Sequence, residues 1–195
     1  MENLSVSDLP ISIQFDFNSG IFTPTNQVVN RRVSDLAEMF SDQQAVQEIL
    51  KNGDRLVYDI QYYPFITSKS DMALGVTRIQ PGKVGDEYHM TKGHFHERDD
   101  QPEIYFCVQG TGYLLMETID GEFISQPWKP GTITHIPPMY AHRVVNTGND
   151  VLFFVASYHI SAGHNYGPIA SQGFAQLVVE RDGQPSLAPN LARER

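Results

Sequence analysis

The sequence has one cysteine and comparatively few basic residues. Cys107 stands alone among 195 residues, so no disulfide can form within the chain, and a reducing compartment is favoured. Lys and Arg number 14 against 23 Asp and Glu, a net charge of −9. General binding to nucleic acid is therefore disfavoured, because phosphate backbones attract basic surfaces. A small phosphorylated ligand is not excluded, since it responds to the local site.

Long apolar runs and targeting segments are missing as well. The longest strongly apolar run, residues 151–156, is too short to span a membrane. Residues 1–5 are acidic and polar, unlike the basic and apolar start of a signal peptide. We therefore expect a cytoplasmic protein without a membrane or nucleic-acid partner.

Aromatic residues and turn residues are plentiful. Aromatics make up 11% of the chain, and there are 15 Gly and 12 Pro. From about residue 55, short apolar or alternating runs are separated by turn residues, which predicts a mostly β protein with a jelly-roll or barrel fold. The predicted strands are residues 56–63, 72–79, 87–91, 94–96, 103–109, 111–118, 122–126, 133–136, 142–146, 151–158 and 175–180.

Helical periodicity is confined to the N-terminal part. Ser34 is an N-cap candidate for residues 35–40, and Ser41 with Gln44 has the spacing of a capping box for a second helix that Gly53 ends. The chain is thus predicted to have three parts. They are an N-terminal extension with strands and short helices that packs on the barrel (1–55), the barrel (56–181) and a polar, loosely ordered tail (182–195).

Histidines and one glutamate are spaced as metal ligands would be. In a strand, His94 and His96 point to the same face, and an antiparallel partner strand could bring Glu103 beside them. His142 opens a later strand. Three imidazoles and one carboxylate suit a divalent first-row metal. Taken singly, an H-x-H pair is more often a surface or core pair, and Glu103 or His142 a polar residue at a strand end.

Together these residues resemble the two motifs of the cupin superfamily. The motif positions are matched by His94, His96, Glu103 and Gly110, then by Gly131, Pro137, His142 and Asn146. The resemblance implies a cupin jelly-roll barrel, also called a double-stranded β-helix. Two positions depart from the usual pattern: the gap from His96 to Glu103 is longer, and Met139 replaces a common Gly.

A narrower resemblance covers most of the chain. The strings T-K-G-H-F-H at 91–96 and A-G-H-N-Y-G at 162–167 are similar to those of cupin-type glucose-6-phosphate isomerases, a family found mainly in archaea. The long gap between His96 and Glu103 is the gap of this family. Asn165 departs from it, since archaeal members tend to have Asp there.

The resemblance implies a metal-dependent aldose–ketose isomerase that interconverts glucose 6-phosphate and fructose 6-phosphate. It assigns His94, His96, Glu103 and His142 to one divalent metal ion per subunit, with Fe²⁺ expected and Mn²⁺, Ni²⁺ or Zn²⁺ as alternatives. Glu103 would be the proton-transferring base, a metal ligand, or both in turn. A hydride shift between C1 and C2, which depends on the metal more directly, is the alternative to proton transfer. The family also implies a homodimer.

The same resemblance places six residues around the sugar phosphate: Thr77, Thr91, Gly93, Tyr105, Tyr158 and His164. Strand alternation puts Thr91 and Gly93 on the face opposite His94 and His96, so a kink at Gly93 is required for all to line one pocket. Lys92 and Arg143 alternate away from site residues and are not included.

Two other functions remain open at this point. Another metal-dependent cupin, such as an oxygenase or a different sugar isomerase or epimerase, could use three histidines and a glutamate. A sugar-binding or metal-binding module without turnover could keep the pocket. Loss of activity on chelation would separate an isomerase from such a module.

Overall fold

The structure is a computed structural model that describes residues 9–25, 27–67 and 71–193. Residues 1–5, considered above as a signal peptide, lie outside these ranges. No helix in the described part of the chain is both long and apolar enough to cross a membrane. Strands predominate, and the prediction of a mostly β protein with short N-terminal helices is confirmed.

Apart from residues 89–102, which connect β7 to β8, the elements follow one another with short connections. The strands are β1 Gln14–Asp16, β2 Ile21–Thr23, β3 Gln27–Arg32, β4 Leu56–Ile66, β5 Asp71–Ile79, β6 Lys83–Val84, β7 Glu87–Tyr88, β8 Glu103–Gln109, β9 Gly112–Thr118, β10 Phe123–Trp128, β11 Ile133–Ile136, β12 Tyr140–Asn146, β13 Leu152–His159, β14 Gln176–Arg181 and β15 Gln184–Pro189. The helices are α1 Gln43–Asn52 and α2 Gly167–Gln172, with 3₁₀ helices at Val33–Met39 and Ile160–Ala162.

Two antiparallel sheets enclose the core as in a jelly roll. One has the strand order β11-β8-β13-β5-β4-β3 and the other β10-β9-β12. Aromatic rings join them: Tyr105 of β8 and Phe154 of β13 contact Trp128 of β10 with ring centroids 5.9 and 5.4 Å apart. Isolated bridges from Met90 and His94 to β12 extend the smaller sheet toward the site.

Strand alternation explains how β8 is placed. Glu103, Tyr105 and Cys107 point inward and are buried, whereas Ile104 points outward and is 48% exposed. The observed bounds of β8 and β11 are those predicted from the apolar pattern. An inward position for Glu103 therefore follows directly from the period of the strand.

The N-terminal segment adds to the larger sheet. Strand β3 pairs with β4 at the sheet edge. The β1–β2 hairpin contacts the same sheet, because the Phe22 N–H donates to the Gln61 side chain and the Phe15 ring lies 6.4 Å from that of Phe153. These contacts bury part of the outer sheet face.

Several local predictions were wrong. The tail is not loosely ordered, because β15 pairs with β14 along its whole length. The polar sequence of the tail does not indicate this pairing. Residues 87–91 and 94–96 are not continuous strands, since only β7 and single bridges form there. The first helix is a 3₁₀ helix, and Asp42 rather than Ser41 caps α1 by accepting from the Ala45 N–H.

Met139, the departure from the cupin motif, has a left-handed backbone with φ of 70° and is 58% exposed. A residue with a Cβ is strained there by about 1 kcal/mol or more, whereas Gly is not. We expect Met139→Gly to stabilise the protein by about 0.5–1 kcal/mol, net of the added freedom of the unfolded chain. Urea unfolding measures this, with Met139→Ala as the control that keeps the strain. Equal stability of the two variants would contradict the explanation.

Candidate metal centre and active site

The four predicted metal ligands meet between the two sheets. His94 and His142 face each other across a bridge in which the His142 N–H donates to the His94 carbonyl at 3.1 Å. Glu103 comes from β8, which belongs to the opposite sheet. β8 pairs with β11 and β13, so the expected pairing of this strand with residues 94–96 was wrong. One ligand atom from each of His94, His96, Glu103 and His142 nevertheless lies within 4.8 Å of the others.

Backbone carbonyls set the tautomers of two of these histidines. His96 Nδ1 lies 2.7 Å from the Gln101 carbonyl oxygen, and His142 Nδ1 lies 3.2 Å from the Tyr140 carbonyl oxygen. A carbonyl only accepts, so each Nδ1 carries the proton and each Nε2 is left with its lone pair. This is the usual way in which a metal-binding imidazole is oriented.

The two free nitrogens converge on one carboxylate oxygen. Glu103 Oε2 lies 3.2 Å from His96 Nε2 and 3.1 Å from His142 Nε2. Glu103 is 5% exposed, and the buried His142 Nε2 has no aligned hydrogen bond within the described residues despite this short distance. Lone pairs facing a carboxylate in a dry interior repel unless a proton or a metal ion lies between them. The donor set therefore fits a divalent metal ion.

The pKa values at this cluster reflect burial and mutual attraction. Burial lowers the pKa of His94 well below its usual value, and the neighbouring histidines lower it further, which keeps this imidazole neutral. Burial alone would raise the pKa of Glu103, but His142 and His96 outweigh it and hold the pKa below its usual value. Burial lowers the pKa of His96, but the contact with Glu103 outweighs burial and raises this pKa overall. An ionised carboxylate and a neutral imidazole are the forms in which these side chains bind a metal ion.

A cavity opens on this cluster. His94, Glu103 and His142 line it, whereas His96 does not. The six residues predicted to surround a sugar phosphate all line the same cavity: Thr77, Thr91, Gly93, Tyr105, Tyr158 and His164. The structure thus brings the predicted metal ligands and the predicted substrate residues to one place.

A turn at Gly93 makes this possible. Gly93 has φ of 72°, and a Cβ there would lie 2.8 Å from the Phe174 ring, so the chain bends where a larger residue would not fit. The bend interrupts the alternation of side chains. Lys92 consequently lines the cavity, so the expectation that strand alternation turns it away from the site residues was wrong. Arg143 does not line this cavity; it lies behind it, donating to the Lys92 carbonyl at 2.8 Å.

Three tyrosines of the lining were missed by the sequence analysis. Tyr58 and Tyr62 stand on the inward face of β4 with Ile60 between them, and Tyr166 comes from the loop before α2. The alternation of Tyr58, Ile60 and Tyr62 with outward residues is a signal that could have identified two of them. Nothing local in the sequence indicates Tyr166, although it lies in the A-G-H-N-Y-G string.

The tyrosine hydroxyls are protonated donors. Burial raises the pKa of Tyr58 to about 12 and raises that of Tyr105 and Tyr158 further above the usual value. Their O–H groups therefore remain neutral at physiological pH. Such donors suit sugar hydroxyls and phosphate oxygens.

A two-sheet jelly roll that carries three histidines and a glutamate at these motif positions is a cupin. The chain is 38% identical over 181 residues to the glucose-6-phosphate isomerase of Pyrococcus abyssi, covering 93% of this chain and 95% of the relative. The enzyme of Thermococcus kodakarensis is 40% identical with the same coverage. That of Sinorhizobium medicae is 33% identical over 176 residues, covering 90% and 82%.

Residues 30–190 match the family described as Glucose-6-phosphate isomerase (GPI). The chain belongs to this family, in its cupin-type form. Among solved structures, oxalate decarboxylase of Bacillus subtilis gives a TM-score of 0.45 at 19% identity, covering 55% of this chain and 27% of that chain, a likeness too distant to add to the assignment.

The cluster predicts one metal ion per chain. We expect metal-free protein to take up one equivalent of Mn²⁺ or Fe²⁺, measured by elemental analysis and calorimetry. His142→Ala should weaken metal binding at least about 100-fold, because it removes one of four ligands. His135→Ala is the matched control, since His135 is exposed on β11 and lies outside the cluster. Equal metal binding by both variants would contradict the assignment.

Proposed function

We propose that the protein interconverts glucose 6-phosphate and fructose 6-phosphate as a metal-dependent aldose–ketose isomerase. Family membership supports the reaction, and the geometry supports where it occurs. One observation carries the proposal most directly: Glu103 is the single acidic side chain among the described residues that line the cavity, and it lies in the predicted metal cluster. The substrate's reacting carbons would therefore lie at this end of the cavity.

The reaction needs no external oxidant or reductant. Converting the open-chain aldose to the ketose moves the hydrogen on C2 to C1 and the hydroxyl proton of O2 to O1. A divalent ion held by His94, His96, Glu103 and His142 would supply Lewis-acid stabilisation of negative charge on O1 and O2. We propose Fe²⁺ as this ion, because imidazole and carboxylate donors suit it.

Glu103 is proposed as the catalytic carboxylate. Its lowered pKa keeps it ionised at neutral pH, so it can accept a proton from the substrate and return it to the neighbouring carbon. Burial keeps water away from the transferred proton. The hydroxyls of Thr77, Thr91, Tyr105 and Tyr158, with Gly93 and His164, are proposed to hold the sugar phosphate in position for this transfer.

Thr91 illustrates how hydrogen bonds to the backbone fix the position of such a hydroxyl. Its Oγ1 accepts from the Val144 N–H at 3.1 Å, and its own N–H donates to the Val144 carbonyl at 2.9 Å. The side-chain oxygen is thereby fixed, and its O–H remains available to donate. A fixed donor contributes to binding with a small entropic cost.

The function is tested by a coupled assay. Fructose 6-phosphate is supplied and glucose 6-phosphate is detected, before chelation, after chelation and with single metals restored. We expect chelation to abolish turnover and a restored metal to recover it, with Fe²⁺ the most effective. Glu103→Gln should lower kcat by about 10²–10⁴-fold, because the carboxylate that accepts the proton is lost.

Glu122→Gln is the control: it makes the same substitution at an exposed glutamate and should leave kcat unchanged. Folded, metal-loaded protein without turnover would reject the isomerase. Metal-dependent oxygen consumption would instead point to an oxygenase, and tight sugar-phosphate binding without conversion to a binding module.

We further propose a cytoplasmic homodimer. The single cysteine is buried, which is compatible with a reducing compartment. Ile104 and Ile133, on the neighbouring strands β8 and β11, are 48% and 68% exposed, and apolar exposure of this kind favours association. We expect light scattering with size exclusion to give twice the chain mass. A monomer at all micromolar concentrations would refute the dimer.

A further inference from the structure

We propose that Lys92 is the residue that makes the site select phosphorylated sugars, its ammonium group pairing with the substrate phosphate. The inference rests on the proposed sugar-phosphate site and adds a specificity-determining residue to it. Lys92 is the one Lys or Arg among the described residues that line the cavity. Every other polar group of the lining is a hydroxyl, an imidazole or the Glu103 carboxylate.

The backbone of Lys92 is held from both sides. Its N–H donates to the Tyr58 hydroxyl at 3.3 Å, and its carbonyl accepts from Arg143 Nη2 at 2.8 Å. Arg143 is itself 2% exposed and packs on the Phe174 ring at 4.7 Å. Together with the turn at Gly93, these contacts fix the point from which the lysine side chain leaves the chain.

The ammonium group has only a weak partner. Lys92 Nζ lies 4.6 Å above the centre of the Tyr166 ring, and no carboxylate in the described ranges forms an ion pair with it. A cation–π contact of a half-buried lysine is weaker than a charge-assisted hydrogen bond to a phosphate oxygen. The contact therefore holds the side chain in the cavity and can be exchanged for a phosphate without breaking an ion pair.

The distance from the metal cluster suits the substrate. The Tyr166 ring centre is 5.7 Å from the His94 ring centre and 4.6 Å from Lys92 Nζ, so Nζ is within about 10 Å of the His94 ring. This is an upper limit, and an extended six-carbon sugar phosphate is about as long. A sugar with C1 and C2 at Glu103 is therefore long enough to reach Lys92 with its phosphate.

Charge balance requires a cation at this end. A phosphate monoester carries about −1.5 to −2 charges at pH 7, and the protein has a net charge of −9. Neutral hydroxyls can donate to the phosphate but leave its charge uncompensated in a partly buried cavity. Lys92 supplies a positive charge that attracts the phosphate of a phosphorylated sugar. An unphosphorylated sugar has no negative charge there and does not gain this attraction.

The test compares two ligands that cannot be isomerised, sorbitol 6-phosphate and sorbitol, by calorimetry on the metal-loaded protein. Lys92→Met should weaken binding of sorbitol 6-phosphate by about 10- to 100-fold, the loss expected for one charge-assisted contact, and leave sorbitol unchanged. Lys92→Arg should restore most of the affinity. Lys51→Met, on the exposed end of α1, makes the same change in net charge and should bind as the wild type does.

Kinetics supply a second readout. Lys92→Met should raise KM for fructose 6-phosphate by a similar factor, with kcat changed less than about threefold and metal content unchanged. Wild-type affinity for sorbitol 6-phosphate in Lys92→Met, or a loss of kcat at constant KM, would overturn the role of Lys92. So would failure of the wild type to bind sorbitol 6-phosphate.

The ligand experiment does not depend on turnover. If the wild type binds sorbitol 6-phosphate through Lys92 yet converts no fructose 6-phosphate, the role of Lys92 stands and the isomerase fails. If the wild type isomerises and Lys92→Met binds normally, the isomerase stands and the role of Lys92 fails.

Discussion

The convergence of two imidazole nitrogens on one buried carboxylate oxygen constrains the rest of this structure. Glu103 would be costly to bury as an isolated anion, and it is stabilised when a cation lies between it and the Nε2 atoms of His96 and His142, which are 3.2 and 3.1 Å away. Those nitrogens can point there only if each Nδ1 is held elsewhere. The carbonyls of Gln101, in the loop before β8, and of Tyr140, the first residue of β12, do this.

This constraint explains the long connection from His96 to Glu103. In a continuous hairpin the two residues would be joined tightly, but here they belong to opposite sides of the cavity. The connection must cross between the sides and also return one carbonyl, that of Gln101, to His96. The connection therefore orients a ligand of the cluster as well as joining the two sides. The start of β12 has a similar task, since the carbonyl of Tyr140, its first residue, lies against His142 Nδ1.

The ligand set and most strands could be predicted from the sequence, because residue type and period-two alternation are local properties. β8 is the clearest case, since one pattern predicts both its bounds and the inward direction of Glu103. Predictions failed where local rules do not apply. Alternation assumes an extended chain, and the left-handed Gly93 broke it, which brought Lys92 into the cavity. The order of β15 depends on pairing with β14, which its polar composition does not reveal.

The two ends of the cavity differ in a way that suits their proposed tasks. At the metal end, each group has its direction fixed by a backbone hydrogen bond or by close packing, which favours reaction steps that need exact placement of a proton. At the other end, Lys92 has a fixed backbone but a side chain that rests only on the Tyr166 ring. A long side chain with an exchangeable contact can follow a phosphate through the change in shape between aldose and ketose. Rigid placement of a charge is needed where bonds change, and adaptable placement where the substrate is only held.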